Sequence, residues 1–366
     1  MEKLAELSME KKVAVIPWSE FWLQDKMFVI DDDSLNFDYR NNPYYIMKQE
    51  FEKNGDCFHT VDMYSDMREI DLFLFLELDW KWLKKISDYG LENKIVYCNA
   101  EPPVVNPINT LSGYKFIKRF FPYIMTWNDE WIDNKLVFKK NIPYYFVDNR
   151  EKAKNCEKNF LTSISGNKTS THPDELYSER VRVINFFEKN YPEEFEFYGT
   201  GWNKEEHICY QGKCDKKAET YHKYKFAICF ENMKNIKGYV TEKILDCLTA
   251  GIVPVYAGAD NIEEYVPKNC FIDYFQFQDL NDLREYLLNM SEEDYEKYLL
   301  AADRFLNSKE IEKFSGKEYA KSVYALLNKK NCFNISCFDK IYINVKLFKQ
   351  RVVFHAKGLC KVFARR

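Results

Sequence analysis

FAICFENMKNIKGYVTEKILDCLTAGIVPVYAGADNIEEYVPKNCFI, residues 226–272, is the stretch on which the fold turns. The apolar run 226–230 reads as a buried strand, the polar segment after it as a loop, the stretch from Val240 as a helix, and IVPVY at 252–256 as a second strand before a Gly-containing loop. In the helix, Val240, Ile244, Leu245, Cys247 and Leu248 share one face, and Gly251 stands where a left-handed C-cap belongs. This is a βαβ unit whose polar residues collect at the carboxyl end of its first strand, the edge at which open α/β sheets bind ligands.

Working outward, KVAVIPW at 12–18, IDLFLFL at 70–76 and KIVYC at 94–98 read as further strands, with helix-like segments at 43–54 and 80–89 between them. Such alternation over the first ~150 residues indicates a Rossmann-like half. The charged run 149–159 is the candidate linker. A second α/β half follows, with 159–165, a helix at 176–190, a strand at 195–198, the opening unit, and helices at 279–289, 291–306 and 317–328. A chain of 366 residues suits about two domains. The expected division is 1–150, 151–335 and a tail, 336–366, with two Rossmann-like domains facing a cleft, a common place for a ligand.

The net charge of −4 is uneven: residues 339–366 hold eight cations against one acid, net +7, leaving the body at −11. That tail interleaves its cations with Ile, Val, Leu and Phe, as expected of an amphipathic helix lying on an anionic membrane surface; a basic helix packed on the acidic body is the competing reading. The 11 cysteines follow no regular spacing and residues 1–20 lack an apolar signal run, so a reducing cytoplasm is expected. The best apolar run, 72–76, stops at Glu77, well short of a membrane span. Neither G-x-G-x-x-G nor a Walker A sequence occurs, which argues against NAD enzymes and P-loop ATPases. His207, Cys209, Cys214 and His222 match no zinc spacing, and Asp31–Asp33 reads as a solvated turn, so no metal site is expected.

Three groups carry chemistry. Lys243 lies in the first turn of its helix, where a cation opposes the macrodipole by roughly 0.3–1 kcal/mol. A bound anion would explain it, since a helix start preceded by Lys237-Gly238 offers free N–H groups; a solvated Glu242–Lys243 pair is the alternative. Glu231 and Asn232 place an acid and an amide at a strand end. Glu101 ends the strand 94–98 before Pro102-Pro103, which holds the backbone extended, and a carboxylate so placed suits a general base toward a hydroxyl.

The ordered set Phe230-Glu231-Asn232, Gly238-Tyr239-Val240-Thr241-Glu242-Lys243, 250–256, Val266-Pro267 and Phe271-Ile272 resembles the signature of the family 10 α-1,3/1,4-fucosyltransferases. Weaker similarity runs through 179–182, Tyr198-Gly199, Gly201 and Glu101-Pro102, and the family's usual Ser-Pro is Pro102-Pro103 here. The resemblance implies the glycosyltransferase B type of fold, with GDP-fucose on the C-terminal domain and an oligosaccharide acceptor on the N-terminal one. It further implies transfer with inversion to O3 or O4 of a GlcNAc- or Glc-containing glycan, of a surface polysaccharide or lipopolysaccharide. By motif, Glu101 is the implied base, Arg180 and Lys243 the cations for the diphosphate, Asn232, Tyr239 and Glu242 donor-binding residues, and Glu231 a stabiliser of the oxocarbenium-like transition state. No cofactor is required on this reading, although Mn²⁺ or Mg²⁺ could stimulate. The expected partners are GDP-fucose, the acceptor and, through the tail, the inner face of the cell membrane, with nucleic acid not among them. The other readings are a transferase for a different nucleotide sugar and an inactive nucleotide-sugar-binding or membrane-scaffold protein.

Overall fold

The computed structural model describes residues 10–147, 150, 157–329 and 331–363; most of the expected linker, 149–159, lies outside them. In the first domain β1 (Lys12–Ile16), β2 (Cys57–Thr60), β3 (Leu72–Phe75), β4 (Ile95–Cys98), β5 (Tyr123–Thr126) and β6 (Val137–Lys139) form one sheet in the order β2-β1-β3-β4-β5-β6. All pairings are parallel. Parallel strands are covered on both faces, which is why β3, β4 and β5 are uninterrupted buried runs. The covering helices include α1 (Asn42–Glu52), α2 (Trp80–Asp88) and α3 (Leu111–Ile117).

The second sheet holds β7 (Asn159–Ile164), β8 (Phe195–Tyr198), β9 (Tyr224–Phe230), β10 (Val253–Ala257) and β11 (Ile272–Asp273), in the order β11-β10-β9-β7-β8 and again all parallel. Register places Val253 beside Phe226 and Ala257 beside Phe230. Alternate residues of β9 therefore feed two cores: Ala227 and Cys229 on one face, Phe226, Ile228 and Phe230 on the other. Around the sheet lie α4 (Tyr177–Asn190), α5 (Lys217–Tyr221), α6 (Glu242–Ala250), α7 (Leu280–Leu288) and α8 (Glu292–Leu306). The opening stretch is thus β9–α6–β10, as its pattern required.

The expected boundary at 335 is corrected. From α9 (Gly316–Leu327) the chain returns to the first domain, where Tyr319, Ala320, Val323 and Leu326 join the core of β1, β3 and α1. Tyr324 stacks on Phe51 with ring centroids 4.0 Å apart and donates to Asp56 at 2.6 Å. An apolar stripe on a helix announces that it is covered, not by what.

The tail forms α10 (Cys337–Phe363). Its first turns pack on the first domain: Ile343 is buried, Tyr342 sits among Trp80, Phe116 and Phe120, Asp339 pairs with Arg119, and Lys340 meets Glu92 at 2.6 Å. Phe338, Ile341, Val345, Phe348 and Val352, on the other side, are exposed. No helix among the described residues is long and apolar enough to cross a membrane.

The domains dock through Asp129, which accepts from Lys139 at 2.7 Å, from Asn261 at 2.9 Å and from Tyr265 at 2.7 Å. Beside it the rings of Trp127 and Tyr239 lie 4.9 Å apart. This contact brings the carboxyl ends of β4 and β9 to opposite sides of one cleft.

Candidate active site

The second-domain half of the site is built on the N-terminus of α6. Thr241 is its N-cap and accepts from the Lys243 N–H at 3.4 Å, and Gly251 closes the far end at φ 70°. Lys243 Nζ lies 3.2 Å from Glu231 Oε2 and 3.6 Å from Glu242 Oε1. Burial works against the Lys243 ammonium, yet Glu231 and Glu242 outweigh it and hold its pKa above the ordinary lysine value. The cation at the helix start therefore already has a protein partner.

That partner, Glu231, was expected to stabilise the transition state, and here it is bonded within the protein. Its side chain is fully buried, with Oε1 accepting from the Thr241 N–H at 2.8 Å and Oε2 from the Thr241 hydroxyl at 2.7 Å and from Lys243. A carboxylate turned inward in this way sets the helix start and aims Lys243.

Arg180, on the first turn of α4, is buried and donates to the carbonyls of Phe230 at 2.7 Å and Glu231 at 2.6 Å and to Asn232 Oδ1 at 3.1 Å. No carboxylate of the described residues lies within 4 Å of its guanidinium, whose pKa burial lowers. Asn232 in turn donates to the Tyr239 hydroxyl at 3.4 Å. Arg180, Asn232 and Tyr239 thus form one network, and Lys243 and Glu242 another, joined by Glu231. Lys243 is paired by Glu231 and Glu242, whereas the Arg180 guanidinium is held by carbonyl and amide oxygens, with no carboxylate among the described residues in ion-pair contact with it. Glu242, which Lys243 and Lys217 hold down to about 2 despite burial, borders the cleft.

Across the cleft, Glu101 is exposed but walled by both domains. Desolvation first, and then the charge of Glu242, raise its pKa above the usual glutamate range. The loop carrying it is tied down by a residue sequence reasoning passed over as the end of an apolar run. Glu77 accepts from Asn106 Nδ2 at 2.6 Å, from the Tyr97 hydroxyl at 3.0 Å and from the N–H groups of Ala100 and Glu101 at 3.3 and 3.4 Å. Asn109 completes the clamp, donating to the Glu101 carbonyl at 2.8 Å. The missed signal was positional: Glu77, like Glu101 and Glu231, is an acid closely following a parallel strand.

One flank of the site has a cation-lined helix start, the other a carboxyl with a raised pKa. That pairing suits departure of an anionic leaving group and deprotonation of a hydroxyl. His207, a metal-ligand type by sequence, is instead engaged by Glu188 at 2.6 Å.

Residues 157–330 match the family described as glycosyltransferase family 10 (fucosyltransferase), C-terminal part. Over 70 residues, 19% of this chain and 17% of the relative, it is 36% identical to an α-(1,4)-fucosyltransferase of Arabidopsis thaliana. Over 72 residues, 19% of this chain and 15% of the relative, it is 35% identical to the α-(1,3)-fucosyltransferase FucT of Helicobacter pylori. The aligned parts span less than a fifth of either relative. The fold is similar to the crystal structure of an α1,3-fucosyltransferase with GDP-fucose, with a TM-score of 0.57 over 91% of this chain and 95% of that one at 17% identity. Two parallel-sheet α/β domains arranged in this way are the glycosyltransferase B architecture. Over residues 157–330, just under half of its length, this chain is thus similar to the C-terminal part of glycosyltransferase family 10, the fucosyltransferase family.

Proposed function

We propose that the chain is an inverting fucosyltransferase that moves L-fucose from GDP-β-L-fucose to O3 or O4 of a GlcNAc- or Glc-containing glycan of a surface polysaccharide or lipopolysaccharide. The observation that carries this reading is the pair of cations at the end of β9, the buried Arg180 and the partly buried Lys243 beside a helix N-terminus, set opposite Glu101. On this reading Glu101 accepts the proton of the acceptor hydroxyl, and that oxygen attacks the anomeric carbon on the face opposite the nucleotide. The bond to the β-phosphate oxygen breaks with its electron pair, and Lys243, Arg180 and the α6 N–H groups take up the charge of departing GDP. Charge already in place limits what a divalent ion has to supply, so Mn²⁺ or Mg²⁺ stimulates at most.

Purified protein incubated with GDP-fucose and lactose, N-acetyllactosamine or a type-1 acceptor, with and without EDTA, tests this. An α-fucosylated product with GDP release is expected; neither product nor GDP release with any acceptor sinks the proposal.

We further propose that α10 rests on the inner face of the cell membrane. Its exposed apolar side chains, with Lys346 and Lys349 along the same helix, support this. Deleting 348–366 leaves the packed turns of the helix intact and is expected to abolish cosedimentation with anionic vesicles; undiminished cosedimentation contradicts the proposal.

A further inference from the structure

Away from the cation-lined helix start, a cavity of about 190 Å³ opens between the domains along the flank of α6. Tyr39 and Tyr44 of the first domain form one wall, Tyr145 of the connecting segment another, and Glu242 and Asp246 of the second domain face them. We propose that this cavity is the acceptor subsite and that it holds one neutral pyranose ring. The inference rests on the fucosyl-transfer reading.

Three observations converge on it. First is composition: flat aromatic faces with a few fixed polar groups are what a sugar ring needs, its C–H face against the rings and its hydroxyls toward carboxylates. Tyr39 and Tyr145 lie 5.7 Å apart with planes inclined by 40°, and neither hydroxyl has a hydrogen bond among the described residues. The volume is that of a single hexose.

Second is position. Tyr44 lies within electrostatic reach of both Glu101 and Glu242, which together with burial raise its phenol pKa. A ring seated against Tyr44 therefore also meets Glu242 on the donor side of the cleft, with the proposed base within electrostatic reach.

Third is charge. Lys217 is consumed by two acids, at 2.7 Å from Asp246 and 3.3 Å from Asp38. Arg40 lies with its guanidinium 4.6 Å from the centroid of Trp22. Three carboxylates against these two cations leave the cavity net negative, so an anionic sugar is repelled while a neutral one is not.

The test uses the full chain with GDP and N-acetyllactosamine. GDP binding is measured by calorimetry, and sugar binding by saturation-transfer NMR on the GDP-loaded protein. Tyr145→Ala removes one face; Tyr39→Asn removes the other and keeps a residue that tolerates φ of 61°. Each variant is expected to weaken N-acetyllactosamine binding by ~10-fold, one aromatic contact's worth, while GDP affinity stays within about twofold. Sugar binding unchanged in both variants, or absent in the wild type while GDP binds, overturns the subsite. Loss of GDP affinity in the variants also overturns it, because the cavity would then belong to the nucleotide. Failure of the wild type to bind GDP instead removes the fucosyl-transfer reading beneath it. In a second arm, the same disaccharide carrying a sialic acid is expected to bind at least ~10-fold more weakly; equal binding overturns the neutral preference.

Discussion

Glu231 Oε2 lies 3.2 Å from the ammonium of Lys243 while Glu231 Oε1 takes the Thr241 N–H at 2.8 Å. One buried carboxylate at the end of β9 thus fixes both the start of α6 and the cation placed there. The pair is a preorganised device: the cation is held in position before any ligand arrives, so little reorganisation accompanies the reaction.

Removing either partner separates the two roles. Lys243→Ala is expected to lower kcat for transfer by about 10²–10³, the scale of a lost preorganised donor. Glu231→Ala removes one partner of the partly buried Lys243 and leaves Thr241 unmet, at a cost of about 1–3 kcal/mol of stability. Steady-state kinetics and urea unfolding measure them; an unfolding midpoint for Glu231→Ala equal to wild type contradicts the assignment.

Glu101 must be ionised to act as a base. Because its folded pKa is raised, activity is expected to fall as pH drops through a value above the ordinary glutamate ~4.3. Glu101→Gln is expected to lose at least ~10²-fold in kcat and to keep GDP-fucose affinity. A kcat–pH profile with its acid limb at or below the ordinary value argues for a different base.

Glu77 contributes to that raised pKa by its charge and holds the loop by hydrogen bonds. Glu77→Gln removes the charge and keeps an acceptor oxygen, so the acid limb of kcat is expected to move to lower pH, with a loss of roughly 10-fold in rate. A purely structural role would lower kcat without moving the limb, and the pH profile distinguishes the two.

Gly238 has φ of 81°, and a Cβ there would meet the Trp127 carbonyl oxygen at 2.2 Å and Asp129 Oδ2 at 2.7 Å. Only glycine lets the loop before α6 lie this close to the first domain. Gly238→Ala is expected to cost more than about 1 kcal/mol and to lower kcat/KM at least ~10-fold by pushing the domains apart. Wild-type kcat/KM in that variant shows that the close approach is dispensable.

Much was legible in the chain because it is local. The apolar pattern marks 226–230, the stretch from Val240 and 252–256 as strand, helix and strand, Gly251 stands at the cap position where the structure has φ of 70°, and Lys243 is seen at the helix start from spacing alone. Arg180, Asn232, Tyr239, Glu242 and Lys243 were all named from motif, and they meet around the end of β9 because parallel strands gather their carboxyl ends on one edge.

What stayed hidden depends on direction and on distant neighbours. Sequence shows an acid at 231 but not that its side chain turns inward onto Lys243. It shows an apolar stripe at 316–327 but not that the stripe is covered by α1, more than 250 residues earlier. Helix, strand and cap follow from interactions among residues a few positions apart, which the order of the chain contains. The Glu77 clamp, the Asp129 docking contact and the tyrosine-lined cavity arise only when segments far apart in sequence are packed together, and that choice is made by the energy of the whole core.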